Sequence, residues 1–131
     1  MIDKQSIINY IEENDLEDVK ELKSSDELVI LKFDYVFDKF EIESAEAFAD
    51  EECTEKHSEE WYYDFYLPYL SDIAIDNVEE IIEECVEDTD TEYQLIALDL
   101  SPEQQEENTF MVAFYREGID VELEDYLVEI I

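Results

Sequence analysis

The sequence predicts an α+β fold, a small three-stranded, mainly antiparallel sheet with several helices packed on it, in a single acidic domain over residues 1–131. Three observations lead there. With 46% hydrophobic and 13% aromatic residues against 1 Gly and 2 Pro, the chain has the apolar content of a packed core and not the composition of a disordered acidic chain. Segments 27–37, 92–99 and 109–116 alternate or run apolar over strand lengths. Segments 3–13 and Ser71 to Asp88 repeat their apolar residues at helical spacing.

Taken in order, Asp3 suits the N-cap of a first helix over 3–13, with Ile7, Ile8 and Ile11 on one face. Asn14-Asp15 interrupts it, and Leu16, Val19 and Leu22 then recur at the spacing of a second short helix. Ser24-Ser25-Asp26 is a turn signal. In 27–37, Val29, Leu31, Phe33, Tyr35 and Phe37 take one side of a strand that can run on through Phe40 and Ile42. Ser44 suits the cap of a short helix around 45–54. Residues 58–67 read as an aromatic helix that Pro68 disturbs. A longer helix starts near Ser71, its stripe made of Ile75, Val78, Ile82, Cys85 and Val86. Ser101-Pro102-Glu103-Gln104 has the pattern of a capping box with Pro at the first helical position. Gly118 marks a turn, and 120–131 reads equally as helix or edge strand.

Charge dominates the chemistry. There are 41 acidic and 7 basic residues, for a formal charge of −34. Residues 1–56 hold 18 acids and 6 cations, net −12; residues 57–131 hold 23 acids and only Arg116, net −22. Such self-repulsion destabilises a compact state, and solubility alone asks for a net charge of only about 2–8 in magnitude. The complementary partner is a basic surface, and nucleic-acid-binding proteins carry the commonest strongly basic surfaces. Direct nucleic-acid binding and anionic membranes are disfavoured by the same field. No stretch approaches the roughly 20 apolar residues of a membrane span, and no secretory signal opens the chain. Two distant cysteines, Cys53 and Cys85, fit a reduced cytoplasm, although a bridge between them is not excluded by sequence.

Two constellations stand out as partner-binding candidates. Glu79, Glu80, Glu83, Glu84, Glu87 and Asp88 put about one carboxylate per 2–3 Å of helix axis. Duplex DNA presents one charge per ~1.7 Å. Four like-charge i, i+4 pairs occur without a cation between them, each destabilising by roughly 0.2–0.5 kcal/mol. A solvated outer helix face is the plainer explanation of any one such row. The second constellation is Glu59, Glu60, Trp61 and Tyr62, where rings and carboxylates together suit Arg or Lys. Core packing of the same rings is the competing explanation.

Catalytic and metal patterns are thin. Cys53 and His57 lie four apart but lack an orienting third group and the second ligand pair of a zinc site. Residues 88–99 alternate acids as a calcium loop begins, yet Tyr93 stands where the turn glycine belongs. With one glycine there is no phosphate-cradling loop. The expectation is a non-enzyme with no metal and no cofactor.

In composition and length the chain is similar to phage-encoded DNA-mimic proteins that block restriction or CRISPR nucleases, and Gly118-Ile119-Asp120-Val121-Glu122-Leu123-Glu124-Asp125 has the same character. It resembles bacterial nuclease-toxin immunity proteins on similar grounds. The resemblance is one of charge and length and assigns no residue. It implies an acidic inhibitor or regulator, acting as a DNA or RNA mimic on a nuclease or other basic nucleic-acid-binding protein in the cytoplasm. The alternative is an acidic structural or interaction domain whose charge serves solubility or salt tolerance. Oligomeric state is not legible.

Overall fold

The computed structural model describes the backbone of residues 2–103 and 105–129, and the side chains of that range through Tyr126. Three helices pack on one face of a four-stranded antiparallel sheet. The elements are α1 (Lys4–Glu13), β1 (Glu17–Ser24), β2 (Leu28–Val36), α2 (Lys39–Glu52), a π-helical segment (Trp61–Tyr66) leading into α3 (Leu67–Thr89), β3 (Glu92–Ala97), β4 (Glu107–Tyr115) and a 3-10 helix (Leu123–Glu129). The strand order is β1-β2-β4-β3.

The fold class agrees with the sequence; the strand count does not. The fourth strand is β1, read from sequence as a short helix. Its pairing with β2 shifts register between Glu17 and Lys20 and again between Glu21 and Lys23. Each shift inserts one extra residue, and Asp18 takes φ 53° at the first. The first bulge keeps Leu16 and Val19, three apart, on the helix-side face, while Leu22 packs on the other face of the sheet, so the three imitate a helical stripe in spacing alone.

The Asp3 cap forms as expected, its carboxylate accepting from the Ser6 N–H at 3.2 Å. The second helix starts earlier than predicted. Asp38, not Ser44, caps α2, in a reciprocal box with Glu41: the Asp38 carboxylate accepts from the Glu41 N–H at 2.7 Å, and the Glu41 carboxylate from the Asp38 N–H at 3.0 Å. That cap ends β2 at Val36, so Phe40 and Ile42 are helical.

Pro68 does not break the aromatic helix. The turns just before it widen to π geometry, with the Leu67 N–H bonding the Tyr62 carbonyl, and α3 continues from Leu67 instead of Ser71. A proline lacks the N–H and crowds the carbonyl four residues back, and the widened turn relieves that crowding. The predicted helix at Ser101 is a turn over Pro102 and Glu103; Gln104 lies outside the described residues. β3 stops at Ala97, and β4 begins at Glu107, earlier than expected. Residues 123–129 take the helical alternative and not the edge strand, as 3-10 helix, and 130–131 lie outside the described residues.

The main core lies between sheet and helices. Val29, Leu31, Phe33, Phe110, Val112 and Phe114 meet Ile7, Ile11, Ala45, Ala49, Leu70, Ala74, Val78 and Ile82. On the opposite sheet face Ile30, Met111 and Ala113 pack under Leu123. Beside them Lys32 Nζ bridges Asp18 at 2.8 Å and the buried Asp34 at 3.1 Å, while Thr109 Oγ1 donates to Asp34 at 2.7 Å. Burial opposes the Lys32 charge, but the hydrogen bonds and charges of Asp18 and Asp34 raise its pKa on balance. No described helix is long and apolar enough to cross a membrane.

Candidate functional site: an acidic helix face

α3 spans 23 residues, about 35 Å at 1.5 Å per residue. Its buried stripe, Leu70, Ala74, Val78, Ile82 and Cys85, anchors it to the sheet and leaves the opposite half in solvent. All six acids singled out from sequence are exposed there: Glu79, Glu80, Glu83, Glu84, Glu87 and Asp88. Asp72 and Asp76, also exposed, extend the set. Sequence reasoning singles out only the denser cluster from Glu79 to Asp88, although the i, i+4 spacing of Asp72 and Asp76 to Glu80 is legible. Two rails result: Asp72, Asp76, Glu80, Glu84 and Asp88 along one line, Glu79, Glu83 and Glu87 along the other. Eight carboxylates over about 24 Å is one per ~3 Å, close to the ~3.4 Å of a single DNA strand.

The face is strongly anionic. Among the described residues none of the eight acids has an ion-pair partner; the bridging lysines are Lys4, Lys32, Lys39 and Lys56, all paired elsewhere. Glu87 and Asp88 stand in the last turn of the helix, where the backbone dipole is already negative. Neighbouring tyrosines report the field. The Tyr10 hydroxyl donates to Glu84 at 2.8 Å, and that bond, with burial and the charge of Glu84, pushes its pKa up to about 12. The Tyr93 phenol on β3 is raised by burial and by Glu83 and Glu79. Burial and Asp88 push the Cys85 thiol up to about 11, which makes it unreactive at neutral pH.

Beside the Glu80–Glu84 rail lies a cleft of about 470 Å³. Asp15, Asp38, Glu41, Glu80 and Glu84 line it, brought from three parts of the chain. Tyr35 crosses its base, donating to Glu41 at 2.7 Å and accepting from Asn77 at 2.8 Å. Burial, with Glu41, pushes the Tyr35 pKa up to about 12. No sequence signal could have grouped these residues, because only the packing of α1, α2 and α3 around the end of β2 does so.

The second constellation is separate, roughly 25–30 Å along the same helical run. Glu59 and Glu60 are exposed and Tyr62 is half-buried, its hydroxyl 3.3 Å from His57 Nδ1. Trp61 is only 2% exposed: it stacks on Tyr66 at 4.6 Å, and its indole N–H donates to Asp50 at 3.1 Å. It supports the segment from inside. The exposed rings nearby are Tyr63 and, on α2, Phe40 and Phe48; Phe48 stacks on Tyr69 at 5.2 Å at the head of the acidic row.

Cys53 ends α2 and is buried against Glu55 and Ser58, while His57, at φ 64°, packs at a tilt on Trp61, 4.7 Å between ring centres. Residues 92–97 pair as a strand, so the calcium-loop spacing is not built as a loop. Among the described residues no three His, Cys, Asp or Glu side chains converge as a metal cage. No protein-family model matches the chain, and no curated protein or solved structure matches it.

Proposed function

We propose that this protein is a non-enzymatic, strongly acidic inhibitor or regulator that occupies the basic nucleic-acid-binding groove of another protein. The observation that carries the reading is the α3 face: eight exposed carboxylates without ion-pair partners among the described residues, spaced like the phosphates of one strand, on a helix anchored by its buried stripe. A groove built to release counterions from phosphates gains a similar salt-dependent term from such a row. The adjoining cleft, with five carboxylates and the Asn77 amide, suits an inserted Lys or Arg side chain. Association is steered by the field, hence fast and weakened by salt. The partner class is a nuclease or similar basic protein, as for anti-restriction, anti-CRISPR or toxin-immunity proteins, acting in the cytoplasm.

The second reading keeps the charge as an aid to solubility or salt tolerance, and the spread of acids over both halves of the chain favours it. Affinity capture from a lysate at low and moderate salt, with mass spectrometry, separates the two. Mimicry predicts one discrete nucleic-acid enzyme, held at moderate salt and displaced by added DNA or RNA. A diffuse set of basic proteins that washes off together supports the second reading and removes the first.

A further inference from the structure

The two edges of the sheet are built differently. β1 is bulged twice and carries Glu17, Asp18, Lys20, Glu21 and Lys23, the features that keep an edge from pairing with another chain. β3 has no bulge and a single charge, Glu92, at its start. Its register with β4 is unbroken from Glu92 to Ala97, and residues 93–98, Tyr-Gln-Leu-Ile-Ala-Leu, hold no charge and no proline.

The ladder shows which groups face outward. The Leu98 N–H bonds the Thr109 carbonyl at 2.9 Å, and the Phe37 N–H bonds Glu106 on the other side of β4. Antiparallel alternation then directs Glu92, Gln94 and Ile96 to β4 and turns the N–H and C=O of Tyr93, Leu95 and Ala97 away from the sheet. Among the described residues no backbone group bonds them from the open side. The side chains of the same three residues pack against the helix-side core, and Glu79 and Glu83 of α3 lie close enough to raise the Tyr93 phenol. An added strand would thus run beside the acidic row. Its side chains on the helix side would meet carboxylates; those on the other side would meet the apolar surface at Ile96.

We propose that β3 is a docking edge that takes an extended segment of the basic partner as a fifth strand, with Lys or Arg alternating with apolar residues. The cationic character of the occupant rests on the function proposed above; the strand geometry does not. Charge complementarity selects this occupant over a second copy of a chain carrying −34.

The test uses the full chain, isotope-labelled, with two synthetic peptides of equal composition, each made of lysine and valine in equal numbers. In one the two residues alternate; in the other all the lysines precede all the valines. Hydrogen exchange and amide shifts are read by NMR. The expected result is slowed exchange at Tyr93, Leu95 and Ala97 with the alternating peptide only. Ala97→Pro, which removes an outward N–H and no bond to β4, weakens that protection at Tyr93 and Leu95. The double variant Glu79→Lys, Glu83→Lys lowers affinity for the alternating peptide by roughly tenfold. Circular dichroism checks that both variants stay folded. If both peptides act alike, with shifts confined to the acidic helix, the strand mode is overturned while the electrostatic reading stands. If neither binds at low salt, both fall.

Discussion

The Tyr10 hydroxyl and the Glu84 carboxylate, 74 residues apart, meet at 2.8 Å and tie the first helix to the acidic face of α3. The bond has two effects. It fixes the position of Glu84 in the row, and it leaves the phenol protonated far into alkaline pH. Tyr10→Phe removes the bond at an exposed site, so the expected loss of stability is small, under about 1 kcal/mol in urea unfolding.

Alkaline behaviour follows from several groups together. Tyr10, Tyr35 and Tyr66 all have pKa values pushed up to about 12, above an ordinary value near 10. Lys32 is raised as well. A group whose pKa is higher folded than unfolded contributes stability that is complete below the unfolded value and lost as pH rises through the folded one. Stability should therefore hold to about pH 10 and fall between about pH 10 and 12. Ultraviolet titration of tyrosinate checks it: Tyr10, Tyr35 and Tyr66, with the likewise raised Tyr93, should ionise late and together with unfolding.

Self-repulsion makes stability depend on salt. Raising ionic strength from about 0.01 M to 0.1 M shortens the screening length from roughly 30 Å to 10 Å. The melting temperature at pH 7 should rise over that range by several degrees, about 4–8 °C per kcal/mol recovered in small domains. A flat response in scanning calorimetry contradicts a strongly repelling surface.

Glu83 sits between Glu79 and Glu87 on one rail. Glu83→Lys turns two repulsive i, i+4 pairs into attractive ones, so the helix should gain on the order of 1 kcal/mol. The same variant should bind a basic partner more weakly and with a shallower salt dependence. Opposite signs for stability and binding, read by chemical denaturation and titration calorimetry, identify acidity retained against stability.

Buried polar contacts set the largest losses. Lys32→Met leaves Asp34 charged and buried with only the Thr109 hydroxyl, which should destabilise by about 3–5 kcal/mol. Trp61→Ala removes a buried ring and the bond to Asp50, also about 3–5 kcal/mol, whereas Glu59→Gln should change stability by less than about 0.5 kcal/mol. Urea midpoints of the three variants order these effects.

Elements with a strong local pattern were legible. Asp3 with Ile7 and Ile11 marked α1, the alternation from Val29 to Phe37 marked β2, and the stripe Val78, Ile82 and Cys85 marked the buried side of α3. The errors came where a local rule met a competing one. Bulges in β1 disguised a strand as a helix, and the π turn before Pro68 let a helix pass a residue that normally stops it. The Asp38–Glu41 capping box stands in the sequence, but the apolar Phe40 and Ile42 beyond it read as a continuation of the strand.

What the sequence alone determined is the charge, its concentration in residues 57–131 and the acidic face of α3, because helical periodicity and charge are local properties that survive any packing of the helix. The tertiary structure decided the rest. It placed Trp61 inside, gathered Asp15, Asp38, Glu41, Glu80 and Glu84 around one cleft, and set β3 at the edge of the sheet beside Glu79 and Glu83. Those arrangements depend on strand order and on which faces are buried against each other, and these are set by contacts between residues distant in the chain, which no window of neighbouring residues encodes.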